Sequence, residues 1–331
     1  MFQAATRSCS QGGVRNGAAT LYYPLWHYEV EDLLVLKNNK GTEDNRVRHM
    51  DYGVQFNKLM YERLMTGGNI TLFSPHDVPG LYDAFFADQD EFKRLYEQAE
   101  RKTSIRKKTI SATELFSAFM QERKDTGRIY LQNVDHANSH SSFKTEVAPI
   151  KQSNLCCEID LPTKPLNDVK DPDGEIALCT LSAINWGIFK NPQDMEKACT
   201  LAVRGLDALL SYQNYPIIAA QMATENRRPL GIGIINLAFF LAKNDVSYSD
   251  PNALNLVDTW AQHWSYYLIK ASADLAVEFG ACPKNHETKY SDGVLPVDTY
   301  KKDVDELVVH TDEVDWKGLR AQLKETGIRN S

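Results

Sequence analysis

Short apolar runs alternate along this chain with longer segments in which apolar residues recur at every third or fourth position. The first pattern is typical of buried strands and the second of amphipathic helices. Strands are predicted at 18–23, 70–73, 127–134, 154–161, 176–182 and 231–235. Helices are predicted at 28–37, 254–279 and 314–324. Two further helices are predicted, one that follows the capping box of Ser111 and Glu114 and one that follows Asn191-Pro192. Because the two kinds of segment alternate throughout, we expect an α/β fold with mainly parallel strands.

The longest predicted helix carries its apolar residues on one stripe and ends at Gly280, a residue type that is common just past helix ends. No Gly/Ser-rich or Pro-rich linker and no internal repeat divides the chain. The length of 331 residues is enough for one large core or two modest ones. The stripe consists of Val257, Trp260, Trp264, Leu268, Ala271 and Leu275.

One predicted strand, 154–161, contains three polar residues at alternate positions: Asn154, Cys156 and Glu158. Residues two apart on a strand share a face at a spacing of about 7 Å. A thiol would then stand between an amide and a carboxyl, while Leu155 and Cys157 point the other way. General base catalysis needs such a carboxylate within reach of the proton that it accepts. The alternative is a strand whose polar residues are incidental.

Six cysteines are present, and no C-x-x-C spacing or nearby histidine favours a zinc site, so no metal is expected. Cys179 lies in the predicted strand 176–182, where it is either a small core residue or a redox thiol paired with Cys156. Cys199 on a helical stripe and Cys157 on the opposite face of its strand are interpreted as core residues.

Composition and charge narrow the class of protein. Of the residues, 43% are hydrophobic and 24% are charged, as is ordinary for a globular protein. The net charge of −7 argues against nonspecific nucleic-acid binding. No apolar stretch approaches the 18 or so residues of a membrane span, and the N-terminus does not resemble a signal peptide. A cytoplasmic protein with no membrane association is expected.

A glycine-bearing loop at 10–17 precedes the first predicted strand, and its glycines permit close approach of a ligand. Arg15 at its centre is suited to contact a phosphate or a base edge. A second basic feature, Arg227-Arg228, is either a surface pair or a charged rim, and the rim is preferred. The glycine-bearing loop lies only a few residues after Met1, and the chain ends on a loop at Ser331. Both features suggest that the chain is a piece of a longer protein.

Several motifs in order resemble the large (α) subunit of class I ribonucleotide reductase, of the aerobic bacterial or phage type. The resemblance covers essentially the whole chain. It rests on SCSQGGVR at 8–15, NRVRHMDYG at 45–53, FSPHDVPGLY at 73–82, GRIY at 127–130, NLC at 154–156, KPLN at 164–167, ALCTL at 177–181 and LGIG at 230–233.

The resemblance implies a fold and a set of site residues. The fold is a ten-stranded α/β barrel of two parallel five-stranded halves that run antiparallel to each other. Cys156 would become a thiyl radical that removes the 3′ hydrogen of a ribonucleoside diphosphate. Glu158 would act as base toward the 3′ hydroxyl, Asn154 would orient the substrate, and Cys179 would be one of two reducing thiols. The implied substrate-binding residues are Asn154, Leu155, Cys156, Cys157, Glu158 and Leu181.

The resemblance also implies partners and regulation. Ser10, Gln11 and Arg15 would lie in a loop that transmits specificity from a bound nucleotide effector. No cofactor is expected in this chain, because the metal-bearing radical cofactor would reside in the small (β) subunit. Thioredoxin or glutaredoxin would supply electrons, and the full-length subunit would form a homodimer.

The resemblance implies that parts of the subunit lie outside this chain. They include the partner thiol of Cys179, the Ser/Thr-rich phosphate-binding loop and the radical-relay tyrosines. The chain is therefore interpreted as a partial barrel domain that does not turn over substrate alone. The alternatives are a different thiyl-radical enzyme on the same barrel, dependent on cobalamin or a glycyl radical, and a non-catalytic nucleotide-binding or assembly module.

Overall fold

The structure, a computed structural model, describes residues 1–309 and 313–331, and Gln11 by its backbone alone. The chain divides into two compact units. The first comprises residues 1–141 and 149–161, and the second comprises residues 142–148 and 162–331. In the described part of the chain, no helix combines the length and the apolar character needed to cross a membrane.

The first unit is built on a parallel sheet of three strands, in the order β3–β4–β7. Two antiparallel pairs, β1–β2 and β5–β6, accompany it. The strands are β1 (Ser10–Gln11), β2 (Arg15–Asn16), β3 (Thr20–Pro24), β4 (Asp51–Phe56), β5 (Asn69–Phe73), β6 (Lys107–Ser111) and β7 (Ile129–Asn133). The helices are α1 (Phe2–Ser8), α2 (Val30–Leu34), α3 (Lys58–Met65), α4 (Leu81–Ala87), α5 (Gln89–Arg101), α6 (Ala112–Thr126) and α7 (Val134–His140), with 3-10 turns at Glu43–Asn45 and Pro75–Asp77.

One face of the three-stranded sheet is covered by the apolar core of this unit. Side chains alternate along each strand, so Tyr52, Val54 and Phe56 of β4 all enter this core. Phe56 packs edge-on against Phe116 and Phe119 of α6, with ring centroids 5.2 and 4.9 Å away. The opposite face of the sheet is left for polar side chains.

The second unit contains one parallel pair, β8–β9, with Leu181 opposite Gly231. Its core joins Trp186, Phe240 of α10 and Trp260 of α11, and the Phe240 and Trp260 ring centroids are 4.5 Å apart. The elements are β8 (Leu181–Asn185), β9 (Gly231–Ile235), α8 (Glu196–Tyr212), α9 (Ile218–Arg227), α10 (Leu237–Lys243), α11 (Pro251–Phe279), α12 (Pro296–Thr299) and α13 (Trp316–Thr326). The 3-10 turns are Trp186–Ile188, Pro192–Met195, Asn285–Glu287, Lys289–Asp292 and Lys302–Glu306.

Most predicted elements are confirmed. Strand β9 has the predicted bounds, helix α11 ends at Gly280 with φ +83°, and the three-stranded sheet and the β8–β9 pair are parallel. The expected α/β class is therefore correct. The closed ten-stranded barrel is not seen, because the described strands form separate sheets of two or three strands.

Three local predictions are wrong. Residues 154–161 form no strand, and strand β8 begins only at Leu181 instead of at 176. The reason for the second difference lies in the partner strand: Pro229 has no N–H to donate, so pairing starts at Gly231, opposite Leu181. Ser111 does precede helix α6, but its side chain makes no capping hydrogen bond.

Candidate functional site

Residues 153–160, which include most of the predicted strand 154–161, form a hairpin loop that we call the cysteine loop. An antiparallel bridge between Ser153 and Asp160 closes it, and the N–H of Asn154 donates to the carbonyl of Ile159 over 3.2 Å. At its tip the N–H of Cys157 donates to the carbonyl of Asn154 over 3.2 Å. Cys157 has φ +63°, in the left-handed region that few non-glycine residues adopt. Because these residues do not form a strand, the argument that Asn154, Cys156 and Glu158 share one face of a strand does not apply.

The side chain of Asn154 explains why a loop replaces the strand. Its Oδ1 accepts hydrogen bonds from the N–H groups of Glu158 and Ile159, over 3.0 and 3.1 Å. Asparagine side chains compete in this way with strand ladders for backbone donors. The Asn154 amide oxygen is thus engaged in holding the loop. The role of Asn154 in orienting a substrate stays a prediction.

The cysteine loop presents two of the predicted site residues to solvent. Cys156 and Glu158 are exposed, whereas Asn154, Leu155 and Cys157 are partly buried. Cys156 is not packed into the apolar core among the helices. A thiol and a carboxyl therefore stand two residues apart on one exposed turn, although not for the reason that the sequence suggested.

The loop rests on the polar face of the three-stranded sheet. The Tyr22 hydroxyl donates to the carbonyl of Asn154 over 2.6 Å, and the Thr20 hydroxyl donates to the carbonyl of Leu155 over 2.5 Å. Both donors lie on β3 two residues apart, and hence on one face. In register with Tyr22 on β4 stands Gly53, where any Cβ atom would collide with the Tyr22 ring. The glycine thus makes room for the ring that reaches the loop.

The base of the loop is joined to the sheet by buried amide side chains. Gln132 donates through Nε2 to Asp160 over 3.1 Å, and Gln55 donates through Nε2 to Gln132 Oε1 over 2.9 Å and to the Lys151 carbonyl over 2.6 Å. Burial raises the pKa of the Asp160 carboxyl above its ordinary value, although hydrogen bonds from Ser153 and Gln132 act in the opposite direction. The carboxylate is therefore held in this site at some cost to stability.

Cys157 and Tyr22 share an environment beneath the loop. Burial raises the pKa of the Cys157 thiol, with a smaller opposing effect of its hydrogen bond to Tyr22. Burial, followed by the interaction with Cys157, raises the pKa of the Tyr22 hydroxyl far above its ordinary value. Tyr22 consequently stays protonated and remains a donor. The interpretation of Cys157 as a core residue is not confirmed, because its side chain is only partly buried and lies outside the apolar core of this unit.

The other predicted thiol belongs to the second compact unit. Cys179 is exposed and lies in the extended segment before β8, not in a strand, and Leu181, the first residue of β8, is 57% exposed. Thr180 accepts a hydrogen bond at its carbonyl from the N–H of Gly231 over 2.9 Å, which fixes the backbone next to Cys179. Cys199, by contrast, is fully buried in the core of this unit, as predicted.

The glycine-bearing loop at 10–17 is an exposed hairpin of β1 and β2. Gly12 and Gly13 at its turn have φ +59° and +71°, the left-handed conformation that glycine adopts without strain. Ser10 and Arg15 are exposed, and the side chain of Gln11 lies outside the described part of the structure. The hairpin places Arg15 opposite Gln11 in the backbone register.

The Arg227-Arg228 pair is neither a surface pair nor a rim, because both side chains are buried. Arg227 donates to Glu175 over 2.9 Å and to Glu287 over 2.6 Å, and Arg228 donates to Asp207 over 2.6 Å. Burial alone would raise the pKa of the Glu175 carboxyl, but hydrogen bonds from Arg227 and Lys284 outweigh it, so that this pKa lies below its ordinary value. The pair anchors the second unit internally.

The sequence interpretation missed the residues that support the loop. Thr20, Tyr22, Gln55 and Gln132 lie 28 to 135 positions from their partners, so no local pattern revealed them. One signal was available: polar residues recur at every second position of otherwise apolar strands, as in β3 and β4. Over the ranges that the structure describes, no three His, Cys, Asp or Glu side chains gather as they would around a metal ion.

Comparison with known proteins now places the chain in a family. The model of the ribonucleotide reductase barrel domain matches residues 1–331. The chain belongs to this family, and the resemblance noted in the sequence is confirmed.

Individual relatives carry the same name. The chain is 61% identical over 330 residues to the ribonucleoside-diphosphate reductase subunit alpha of Haemophilus influenzae, covering 100% of this chain and 44% of the relative. It is 62% identical over 330 residues to the ribonucleoside-diphosphate reductase 1 subunit alpha of Escherichia coli, and 53% identical over 334 residues to the subunit alpha of Enterobacteria phage T4, covering 100% of this chain and 43% of each relative. The chain thus spans less than half the length of these relatives.

Proposed function

We propose that this chain is the part of a ribonucleoside-diphosphate reductase α subunit that carries the reacting thiol, and that Cys156 is that thiol. The observation that supports this most is the presentation of Cys156: its loop is held to the sheet at two consecutive carbonyls while the thiol itself stays exposed. Family membership and the names of the relatives give the reaction class.

In the proposed reaction, the Cys156 sulfur as a thiyl radical takes the 3′ hydrogen atom of the ribose, which forms an S–H bond and leaves a carbon radical. Glu158 accepts the proton of the 3′ hydroxyl and returns it to the 3′ oxygen after the reduction. The 2′ hydroxyl leaves as water with one of the two protons that the reducing thiols supply. Two thiols, one of them Cys179, supply two electrons and two protons and end as a disulfide. The hydrogen atom then returns from Cys156 to the 3′ carbon. Rigid placement matters here because the radical must meet only its own substrate.

The wider assignment belongs to the same proposal. Residues 1–331 form part of one barrel domain, completed by segments of the full-length subunit. A small (β) subunit holds the metal-bearing cofactor that generates the radical, and thioredoxin or glutaredoxin reduces the disulfide. Ser10, Gln11 and Arg15 transmit the effect of bound nucleotides. The full-length subunit acts as a cytoplasmic homodimer.

Replacing the proposed radical thiol tests the assignment. In the full-length subunit, assayed with small subunit and reductant, Cys156→Ser should abolish deoxynucleotide formation while binding of a ribonucleoside diphosphate persists. Cys9→Ser, which changes an exposed thiol outside the cysteine loop, should retain turnover. Turnover that survives in Cys156→Ser would refute the role of Cys156.

The second thiol requires a different assay. Cys179→Ser should lower steady-state turnover strongly while exchange of the substrate 3′ hydrogen persists, because it removes a reductant and not the abstracting group. An unchanged steady-state rate would exclude Cys179 from the redox step. The isolated chain should show no turnover with the same partners, and robust product formation by it would contradict its assignment as a part of the enzyme.

A further inference from the structure

We propose that Thr20 and Tyr22 are positioning residues that set where Cys156 stands, by holding the two peptide groups that immediately precede it. This inference rests on the proposed function of Cys156. The Leu155 carbonyl, which accepts from Thr20, belongs to the same planar peptide group as the Cys156 nitrogen. The Asn154 carbonyl, which accepts from Tyr22, belongs to the peptide group before it.

The geometry of β3 suits it to this task. Residues 20 and 22 are two apart, so their side chains rise from one face at a spacing of about 7 Å. A threonine and a tyrosine at this spacing reach two successive carbonyls of a loop that crosses above the strand. Gly53 on the neighbouring strand leaves the room in which the Tyr22 ring lies. The donors are thus part of a regular sheet, which is more rigid than the loop that they hold.

The hydrogen bonds within the cysteine loop do not tie its turn to the sheet on the side of Cys156. The Ser153–Asp160 bridge and the Asn154 side chain fix the base and the return path of the loop. At the tip, the Asn154 carbonyl also accepts from the Cys157 N–H, which forms the turn but does not tie the turn to the sheet. Thr20 and Tyr22 supply that tie on the side of Cys156. A displacement of about 1 Å at a reacting group can lower a rate about a hundredfold.

Hydroxyl deletion in the full-length subunit tests the proposal. Tyr22→Phe and Thr20→Val should each lower kcat about 10- to 100-fold with little change in the KM for substrate. Thr20→Ser keeps the donor and should restore most of the rate. The matched control is Tyr23→Phe: Tyr23 is the next residue of β3, is also buried and lies on the opposite face of the sheet, in the apolar core.

A second measurement does not depend on enzyme activity. Site-resolved alkylation of the folded subunit should show Cys157 reacting several-fold faster in Tyr22→Phe than in the unchanged protein, because the lost hydroxyl no longer ties the loop that carries this thiol to the sheet. Tyr23→Phe should show no such change. Equal alkylation of Cys157 in Tyr22→Phe, or unchanged kcat in both deletion variants, would overturn the positioning role. If Thr20→Ser lowers kcat as much as Thr20→Val does, the positioning role is also overturned, because the loss of rate would then come from packing and not from the hydroxyl.

The two measurements separate this inference from the proposed function. If the unchanged subunit makes no deoxynucleotide product, the reductase assignment fails, and the alkylation of Cys157 still decides whether Tyr22 holds the loop. If the subunit is active but neither deletion variant changes kcat or thiol reactivity, the positioning role fails and the reductase assignment stands.

Discussion

At the scale of single residues, Asn154 and Gly53 set the local geometry of the cysteine loop and of the strand beneath it. Asn154 is predicted to orient a substrate, which stays a prediction, and its amide oxygen accepts hydrogen bonds from two backbone N–H groups of its own loop. Gly53 was not singled out, yet its lack of a side chain makes room for Tyr22. The catalytic roles of Cys156, Glu158 and Cys179 stay predictions.

A first prediction concerns Gly53. Gly53→Ala should lower the free energy of unfolding by about 1–3 kcal/mol, because the added methyl group overpacks against the Tyr22 ring. It should also raise the alkylation rate of Cys157. The measurement is urea unfolding followed by tryptophan fluorescence.

The matched control is Gly205→Ala on the exposed face of α8. A methyl group there meets no other atom within 4 Å, so this change should be neutral or stabilising. Equal stability losses in the two variants would show that the loss in Gly53→Ala does not come from overpacking against the Tyr22 ring.

At the scale of elements, the available hydrogen-bond partners decided what the apolar pattern could not. Residues 154–161 have the composition of a strand, but the Asn154 side-chain oxygen offers the backbone N–H groups an alternative acceptor and the chain turns at Cys157. Residues 176–180 also have a strand-like composition, but β9 begins too late to pair with them. Alternation of apolar and polar residues thus indicates a preference for strand structure, and a strand forms only where a neighbouring strand is available to pair with it.

A second prediction concerns Asp160 at the base of the cysteine loop. Burial raises the pKa of the Asp160 carboxyl in the folded state above its ordinary value of 3.8. Asp160 therefore destabilises the fold progressively as the pH rises from 3.8 through the higher pKa of the folded state. Asp160→Asn keeps the Oδ1 acceptor for Gln132 and removes the buried charge. The variant should therefore gain stability relative to the unchanged protein between about pH 4 and pH 7. Urea unfolding at several pH values measures this, and a constant difference would contradict it.

At the scale of the whole molecule, each compact unit has its own core and its own buried polar cluster. The second unit contains Arg227 and Arg228, which are almost fully buried and paired with carboxylates from distant segments. Removal of one partner from such a pair leaves a buried charge without compensation, which costs about 3–5 kcal/mol. This cluster is therefore a point where the second unit is vulnerable to acid.

A third prediction follows for acid stability. Hydrogen bonds and charges, acting against burial, depress the pKa of Glu175 and of Asp207 below their ordinary values of 4.5 and 3.8. Their stabilising contribution is present above those ordinary values and is lost as pH falls through the lower folded values. Protection of residues 175–230 from hydrogen exchange should therefore fall below about pH 4.

Neutralising Glu175 is the corresponding mutational test. Glu175→Gln should lower this protection at pH 7 and weaken its dependence on acid, because Arg227 then lacks one carboxylate. The matched control is Glu278→Gln, which breaks an ion pair with Arg204 whose side chains are each 45% exposed. That change should leave the hydrogen-exchange protection nearly unchanged, because an exposed ion pair contributes little to stability. Equal effects of the two variants would show that burial of the cluster contributes nothing.

The sequence by itself determined the α/β class, the bounds of β9, the long helix α11 and the family. These depend on periodicity, on end signals such as Gly280 and on ordered motifs, all of which are local or compositional. Only the tertiary structure decided that Cys156 sits on a loop and not on a strand, and that the Arg227-Arg228 pair is buried. The physical reason is the same in both cases: the groups that satisfy these backbone and charged atoms lie far away along the chain, and folding alone brings them into contact.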